Sequence, residues 1–376
     1  MAAIGKALIV GGGIAGMCAA IQLRKLGVHV DLVEIDPNWR VYGAGITLSG
    51  PTLRAFHEIG VIDAIMEQGW CADGVDICLA DGRKIAELPT PRIGRPDVPG
   101  GGGILRPVLA GILRNATLAS GASVRCGTTV LSLEADGDAV QVSFTDKRES
   151  RYELIIAADG LQSQLRGTLF PDAPKPSYTG QSSWRAVVPR PAAVTRPVFF
   201  MGADIKAGVN PVSKDEMYLF VTEPRPTPEH IEESRWAETL RDLLTPFDGS
   251  ALVSAIRDGL DESACIVYRP FFALLVPPPW HRGKVVLIGD AAHSTTPHLA
   301  SGAGIGVEDA IVLAQELARM VSLEEALQAF TARRFERCRM VVENSLTLGN
   351  LERTGAPKAE HEQLMRDSMA KLLMPI

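Results

Sequence analysis

Residues 6–34 of this 376-residue chain read KALIVGGGIAGMCAAIQLRKLGVHVDLVE, and this stretch decides the fold. Lys6 to Val10 is a short apolar run of the kind that forms a strand buried on both faces. After the glycines, Ile14 to Leu26 has a helical pattern, which Gly27 ends at the position of a C-terminal cap. Val28 to Val33 is typical of a second strand. This order predicts a parallel strand–helix–strand unit with a right-handed crossover.

The glycines of this turn form the pattern G-x-G-x-x-G between a strand and a helix. They allow a tight turn and close approach of a pyrophosphate, and the helix N-terminus offers unpaired N–H groups to its phosphates. A carboxylate about 20 residues later can accept hydrogen bonds from a ribose hydroxyl. The pattern does not choose between FAD and NAD, and a glycine turn without a ligand is the alternative. The residues predicted to bind the dinucleotide are Gly11, Gly13, Ile14, Ala15, Gly16 and Glu34.

Two further apolar runs, Leu154 to Ala158 and Lys284 to Ile288, are typical of buried strands. Between them, from about Tyr178 to Phe272, short β-like stretches predict an inserted sheet-rich lobe, and the chain turns helical after Gly302. The Pro- and Gly-rich segment Pro89 to Gly103 predicts a loop, either mobile or a plain surface connection. The predicted parts are 1–70, 101–176 and 280–350 for a discontinuous dinucleotide-binding domain, 71–100 and 177–279 for the inserted domain, and 351–376 for a helical tail.

The composition argues against several other classes of protein. It is 46% hydrophobic and 22% charged, and the net charge of −6 gives no electrostatic reason to expect nucleic acid or an acidic membrane as a partner. No apolar stretch approaches the roughly 18 residues that suggest a membrane span, and the N-terminus lacks a signal-peptide pattern. The six cysteines form no C-x-x-C pair. We expect a cytoplasmic protein without a metal site or a membrane partner, and a homodimer is a candidate assembly.

Three later motifs are more specific than the glycine turn. They are Asp159-Gly160 with Ser163 and Arg166; Gly289-Asp290-Ala291-Ala292-His293 with Pro297, Gly302 and Glu308-Asp309-Ala310; and Gly43-Ala44-Gly45-Ile46 with Arg106. In type and order they resemble the motifs of the FAD-dependent aromatic hydroxylases. These are single-component, NAD(P)H-dependent flavoprotein monooxygenases such as the para-hydroxybenzoate and salicylate hydroxylases. The resemblance covers nearly the whole chain.

The resemblance implies an α/β fold: a Rossmann-like FAD-binding domain with an inserted sheet-rich substrate domain and C-terminal helices. Asp290 would meet the ribityl hydroxyls of FAD, and the helix opened by Gly302 would point its amide groups at the pyrimidine edge of the flavin. Many relatives have G-Q-G where this chain has Ala300-Ser301-Gly302, which predicts a less flexible loop. The other FAD contacts that the resemblance implies are Arg40, Gly45, Ile46, Arg106, Val130, Asp159, Ala303 and Gly304.

Two of these residues have alternative interpretations. Asp159 belongs to a motif associated with both FAD and the nicotinamide co-substrate, but it could instead tie a loop to a helix. Arg106 is a candidate partner for an FAD phosphate or ribose, and the alternative is a surface arginine.

The resemblance also implies a reaction. NADH or NADPH would reduce the flavin, O₂ would add to give a flavin C4a-hydroperoxide, and OH would pass to a small phenolic or heteroaromatic substrate. The alternatives are an epoxidase, an oxygenase of heteroatoms or non-aromatic rings, and a flavin redox protein without hydroxylation.

Four residues are the leading candidates for the active site, and a fifth is a weaker one. Arg185 could bind a substrate carboxylate or phenolate, or form a cross-strand salt bridge. Tyr218 could orient a substrate hydroxyl, or be a core tyrosine. Pro297 and His298 lie where the family places the loop over the flavin, and His298 has a pKa suited to proton transfer. Arg269 is a weaker candidate for the same anion as Arg185.

Overall fold

The computed structural model describes residues 3–41, 43–203, 205–261 and 264–376. The strands are β1 Lys6–Val10, β2 His29–Glu34, β3 Gly45–Ser49, β4 Trp70–Ala72, β5 Val75–Leu79, β6 Lys84–Leu88, β7 Gly101–Leu105, β8 Ser123–Cys126, β9 Val130–Asp136, β10 Ala139–Phe144, β11 Glu149–Tyr152, β12 Leu154–Ala157, β13 Ser177–Pro189, β14 Val198–Met201, β15 Lys206–Pro211, β16 Glu216–Pro224, β17 Ile266–Ala273, β18 His281–Arg282 and β19 Val285–Leu287. The helices are α1 Ile14–Lys25, α2 Gly50–Ile59, α3 Ile62–Gln68, α4 Arg106–Ala119, α5 Gln164–Leu169, α6 Trp236–Leu244, α7 Ala251–Asp258, α8 Asp290–His293, α9 Gly302–Arg319, α10 Leu323–Thr354 and α11 Lys358–Leu373.

A six-stranded sheet in the order β18-β19-β12-β1-β2-β8 forms the first lobe. All its strand pairs are parallel except β18 with β19. The four apolar runs predicted as buried strands all lie in this sheet, and each is displaced by at most one residue at either end. Because β1, β12 and β19 are parallel neighbours, their carboxyl ends meet at one edge of the sheet, where the segments that follow them are brought together.

A seven-stranded sheet in the order β17-β13-β16-β15-β14-β5-β6 forms the second lobe. The strands β5 and β6, at 75–88, lie in the same sheet as the strands of the inserted segment, because β5 pairs with β14. One face of this sheet packs against α6 and α7 around a core that includes Trp184, Leu219, Val221, Leu240 and Val253. The other face looks toward the first lobe. The domain boundaries themselves stay predictions.

The loop predicted over Pro89–Gly103 is wrong in its last three residues. Gly101–Leu105 form β7, which is the central strand of a third sheet in the order β3-β7-β4. Because glycines have no side chains, this strand lacks the apolar–polar alternation that predicts a strand, and another backbone can approach it closely. A Cβ on Gly103 would lie 2.3 Å from the carbonyl oxygen of Pro211, at the end of β15. The third sheet therefore packs directly on the second lobe.

The C-terminal part is helical, as predicted, but the boundary at 350/351 lies inside α10. The last helix, α11, packs on α10, and two arginines donate to its final carbonyls. Arg54 Nη1 lies 2.9 Å from the Leu373 oxygen and Arg337 Nη2 lies 2.8 Å from the Leu372 oxygen. Cations at this end complement the helix dipole. Among the described residues, no helix combines the length and apolar character needed to cross a bilayer.

Candidate active site

The glycine turn, the Asp159-Gly160 motif and the Gly289–His293 motif meet at the carboxyl ends of β1, β12 and β19. Glycines allow these segments to approach one another closely. A Cβ on Gly11 would lie 2.4 Å from the Ala158 oxygen, next to the D-G motif, and a Cβ on Gly289 would lie 2.9 Å from the Ala15 Cβ. Arg166 then joins the two later motifs, because its Nη1 donates to the Ala291 oxygen at 3.0 Å. Segments far apart in the sequence thus form one continuous surface.

The glycine turn is held from both sides at Gly12. Its N–H donates to Glu34 Oε2 at 2.8 Å, and its carbonyl accepts a hydrogen bond from Trp39 Nε1, also at 2.8 Å. Trp39 is buried and has a left-handed φ of 48°. A Cβ on Gly12 would lie 2.4 Å from Trp39 Nε1, which explains a glycine at a position that the motif leaves open. Sequence reasoning missed Trp39, because no local pattern signals this contact.

Among the described residues, two acidic side chains of the predicted cofactor site have carboxylate oxygens that accept no hydrogen bond from the protein. The Asp159 Oδ2 accepts from the Leu165 N–H at 3.3 Å and ties the loop to α5, whereas the buried Oδ1 has no hydrogen-bond partner among the described residues. Asp290 follows the fully buried end of β19, yet its own side chain is exposed. Desolvation by the surrounding protein raises the pKa of Asp290, although His293 and Arg106 oppose the rise. Both carboxyl groups can therefore accept hydrogen bonds from a ligand.

Asp309 joins the Gly289–His293 turn to the helices behind it. Its carboxylate accepts from the Gly289 N–H at 2.9 Å, lies 2.6 Å from His293 Nε2, and accepts from Arg334 Nε at 2.8 Å. Arg334 also lies 2.9 Å from Glu308, and neither Arg334 nor Asp309 has any exposed side-chain surface. His293 therefore braces the loop. The role of Arg334 was missed, because a lone arginine in a long helix carries no sequence signal.

The His293–Asp309 pair predicts a loss of stability at alkaline pH. Burial alone would lower the pKa of His293, but the Asp309 carboxylate raises it well above the ordinary value. The contribution of His293 to the free energy of unfolding is thus complete below its unfolded pKa of about 6.5 and is lost as pH rises through the folded-state pKa. The slope for one proton is about 1.4 kcal/mol per pH unit.

Urea unfolding at a series of pH values above neutrality measures this slope. We expect His293→Gln to be less stable than the wild type near neutrality and to lose less stability as the pH rises. Equal slopes for the two proteins would contradict the assignment.

Asp309 affects stability at acid pH. Although burial alone would raise the pKa of Asp309, His293 and Arg334 lower it. Its contribution is complete above the unfolded pKa of about 3.9 and is lost as pH falls through the folded-state pKa.

Three arginines gather where the two lobes meet. Burial and the nearby Arg185 lower the pKa of Arg106, while Asp290 and Tyr218 raise it and Arg269 lowers it further. The side chains of Arg106 and Arg185 form no hydrogen bond or ion pair with any residue that the structure describes. The cross-strand salt bridge considered for Arg185 is therefore absent from the described residues. Asp290 is a nearby carboxylate for Arg106, whereas Arg185 has no ion-pair partner among the described residues and is therefore suited to an anionic ligand.

The structure encloses the side chains of two further candidates, Tyr218 and His298. The Tyr218 side chain is buried, its hydroxyl bonds Thr47 Oγ1, and a Cβ on Gly45 would collide with its ring. The His298 imidazole is also enclosed: Nδ1 lies 2.8 Å from Thr296 Oγ1 and Nε2 lies 3.4 Å from Glu352 of α10. Burial lowers the pKa of His298, while Glu352 opposes the shift. Tyr218 thus joins β16 to β3, and His298 joins the 3₁₀ turn at Pro297–Leu299 to α10.

The remaining predicted residues lie in several different elements. Pro297 is exposed and opens the 3₁₀ turn before α9, which begins at Gly302 as predicted. Ala300 adopts a left-handed φ of 46°, which fixes the loop that replaces G-Q-G. Arg40 pairs with Asp36 just beyond β2. Ile46 lies in β3, Val130 opens β9, and Ala303 and Gly304 lie in the first turn of α9.

Comparison with known proteins gives the class. The family model described as FAD binding domain matches residues 5–345, so the chain belongs to that family. It is 30% identical over 355 residues to the putative FAD-dependent monooxygenase YetM of Bacillus subtilis, covering 94% of this chain and 95% of the relative. It is also 30% identical to a 2-heptyl-3-hydroxy-4(1H)-quinolone synthase of Pseudomonas aeruginosa, covering 93% and 90%. The structure of Klebsiella pneumoniae HpxO complexed with FAD and uric acid has a TM-score of 0.83 at 23% identity, covering 98% and 94%.

The protein is thus an FAD-dependent monooxygenase of the aromatic hydroxylase type, and the predicted family, fold class and reaction class are confirmed. The residues of the site fit the cofactor. The glycine turn leaves room beside the N-terminus of α1, since a Cβ on Gly13 would meet no atom within 4 Å. The exposed Asp290 and the Asp159 Oδ1, which has no partner in the described part of the chain, offer acceptors for cofactor hydroxyl groups.

Proposed function

We propose that this enzyme uses NADH or NADPH with O₂ to hydroxylate a small aromatic or heteroaromatic substrate that carries an ionised oxygen. The observation that carries the proposal is Arg185, a cation beside Arg106 with no ion-pair partner among the described residues. A guanidinium can bind a carboxylate or a phenolate through two parallel hydrogen bonds. An ionised ring oxygen also makes the ring electron-rich, which is the form that an electrophilic oxygen donor attacks.

Bound FAD supplies the reduction and oxygenation chemistry, and the chain supplies binding, orientation and exclusion of water. We assign the ribose and ribityl hydroxyls to Glu34 and Asp290. Arg106 would neutralise negative charge on the cofactor, and the N-terminal amides of α9 would face its pyrimidine edge. Arg185 would hold the substrate anion so that the ring keeps one orientation. Tyr218 and His298 would act as positioning residues, because both are occupied by protein partners.

Two of the similar proteins support a heteroaromatic substrate class. The HpxO structure contains uric acid, and the Pseudomonas relative is named for a quinolone. The two molecules differ in size and polarity, so they support the class and not one compound. A homodimer stays a prediction, which sedimentation of the FAD-loaded protein would test.

The first test follows NADH and NADPH oxidation together with O₂ uptake across a panel of phenolic and heteroaromatic acids. We expect at least one compound to accelerate turnover and to gain one oxygen atom by mass. Peroxide measured in the same samples separates coupled hydroxylation from uncoupled oxidation. Acceleration by no compound, or peroxide as the sole product, would overturn the proposed substrate class and favour an epoxidase, a heteroatom oxygenase or a redox protein.

Replacing Arg185 by alanine should weaken substrate binding selectively. A hydrogen bond to a charged group contributes about 1.5–3 kcal/mol, so we expect KM for an anionic substrate to rise by roughly ten- to a hundredfold. Arg185→Lys should give an intermediate KM, because it keeps the charge but loses the planar fork. The Kd for FAD should not change. Arg148→Ala, which alters a side chain that is 71% exposed, is the control. An unchanged KM in Arg185→Ala would remove Arg185 from the substrate site.

A further inference from the structure

The face of the seven-stranded sheet that looks toward the first lobe has a row of partly exposed apolar side chains beginning at Arg185. Arg185 lies opposite Phe220, which lies opposite Gly208, and Gly208 lies opposite Phe199. Phe199 in turn pairs with Ile77 of β5. Directly opposed residues point to the same face of a sheet. The row therefore crosses five strands, and Arg185 and Phe199 are about 14 Å apart at a strand spacing of roughly 4.8 Å.

Gly208 shapes the middle of this row. A Cβ at this position would lie 2.4 Å from Phe220 Cζ and 3.0 Å from Phe199 Cδ1, so both rings lean over the glycine. The rings meet edge to face, with centroids 5.3 Å apart. Neither ring is fully buried. The result is a continuous aromatic floor, in contrast to the opposite face of the same strands, where Phe200 and Ala207 are enclosed in the core with α6 and α7.

The rows on either side of this floor are covered. On one side Asn210 Nδ2 donates to Thr47 Oγ1 at 3.0 Å, which holds β3 of the first lobe against the sheet. On the other side Lys206 Nζ lies 2.5 Å from Glu352 of α10. Phe220 packs on one side against the cluster of Ala44, Val212 and Tyr218, yet Phe220 and Phe199 both stay partly exposed between the two flanking contacts, so the apolar floor forms the base of a trough. We call this feature the Phe199–Phe220 trough; Arg185 lies at its inner end.

We propose that the Phe199–Phe220 trough binds an apolar substituent of the substrate, so that the preferred compound is an amphiphilic aromatic acid or phenol with an alkyl or aryl extension. The anionic end would be held by Arg185 and the extension would lie along the aromatic floor. A single ring would leave the rings of Phe220 and Phe199 in contact with water, which is unfavourable for apolar surface. This inference rests on the proposed function for the identity of the oxidised ring, but the trough can be tested by binding alone.

The test measures Kd on the FAD-loaded enzyme, from changes in flavin absorbance, for two sets of compounds. The first set is salicylate with hydrogen, methyl, propyl or pentyl on the carbon para to its hydroxyl group. The second set is the straight-chain alkanoates from butanoate to decanoate, which offer a carboxylate and a chain without a ring. Burying one methylene completely tightens binding by a factor of about four, so we expect a two- to fourfold gain per carbon in both sets. A flat or rising Kd with chain length in both sets would overturn the proposal.

The two sets separate this proposal from the proposed function. A chain-length gain among the alkanoates with no hydroxylated salicylate would support the trough and count against the aromatic substrate. Hydroxylation of salicylate with no chain-length gain in either set would support the function and overturn the trough. The variant Phe199→Gln should abolish the gain in affinity for the longer chains, and Phe199→Leu should keep most of it. Ile85→Gln, at a 51% exposed residue on the edge strand β6, is the matched control.

Discussion

Arg334→Met is expected to lower the free energy of unfolding by about 3–5 kcal/mol, the cost of breaking a buried charge pair by removing one partner. Arg334 has no exposed surface, and its guanidinium bonds Asp309 and the Ile305 carbonyl and lies 2.9 Å from Glu308. Methionine fills similar space but leaves two buried carboxylates with one cation fewer. Because Asp309 also accepts from Gly289, we further expect the Gly289–His293 turn to loosen and the Kd for FAD to rise.

Urea unfolding measures the stability change, and flavin fluorescence measures the FAD affinity. The control is Arg339→Met on the same helix. Arg339 is 41% exposed and pairs with Glu336 and Glu343, and exposed pairs of this kind contribute about 0–1 kcal/mol. Equal losses of stability in the two variants would show that the buried charge network contributes no more to the free energy of unfolding than an exposed ion pair does.

The variants Gly16→Ala and Gly13→Ala are expected to fail in different ways. A Cβ on Gly16 would lie 2.0 Å from the Gly11 carbonyl oxygen, a backbone atom that cannot move without opening the turn. Overpacking of this kind costs about 1–3 kcal/mol, so both stability and FAD binding should suffer. A Cβ on Gly13 would meet no protein atom within 4 Å, and its φ of −76° suits any residue. Gly13→Ala should therefore keep the stability of the apoprotein and still weaken FAD binding, by roughly tenfold or more, because the methyl group stands where the pyrophosphate must approach.

Thermal unfolding of the apoproteins and FAD titration separate these two effects. Gly111→Ala in α4 is the control, since it also meets no atom within 4 Å. Alanine is favoured over glycine inside a helix by about 1 kcal/mol, so this variant should be as stable as the wild type or more so, with unchanged FAD affinity. Tight FAD binding by Gly13→Ala would mean that the pyrophosphate does not approach this glycine.

Much of the candidate site follows from sequence because its residues come directly after buried strands. Glu34, Asp159 and Asp290 each follow an apolar run, and the carboxyl ends of parallel strands share one edge. What these residues contact could not be predicted. Glu34 accepts a hydrogen bond from the Gly12 N–H, and Trp39 Nε1 donates to the Gly12 carbonyl. No sequence pattern predicts the left-handed backbone conformation of Trp39.

For the active-site candidates of the second lobe, the sequence predicts less and the structure decides more. Arg185 and Tyr218 stand out by residue type, but strand register decides what each contacts. Arg185 has no hydrogen-bond or ion-pair partner among the residues that the structure describes, whereas Tyr218 bonds Thr47. The loop predicted up to Gly103 fails for a related reason. A glycine-rich strand has no side-chain alternation, so only its hydrogen bonds to β3 and β4 reveal it.

The sequence by itself determined the dinucleotide-binding unit, because its signals are local: apolar runs of strand length, glycines at fixed offsets after β1, and a carboxylate at or after the end of β2, β12 and β19. Only the tertiary structure decided the contacts that cross long stretches of chain. Arg334 reaches Asp309 from another helix, Lys206 reaches Glu352 from another lobe, and Phe199 and Phe220 share a floor because Gly208 lies between them. Such contacts depend on helix packing and strand register, which are set by the fold as a whole and not by neighbouring residues.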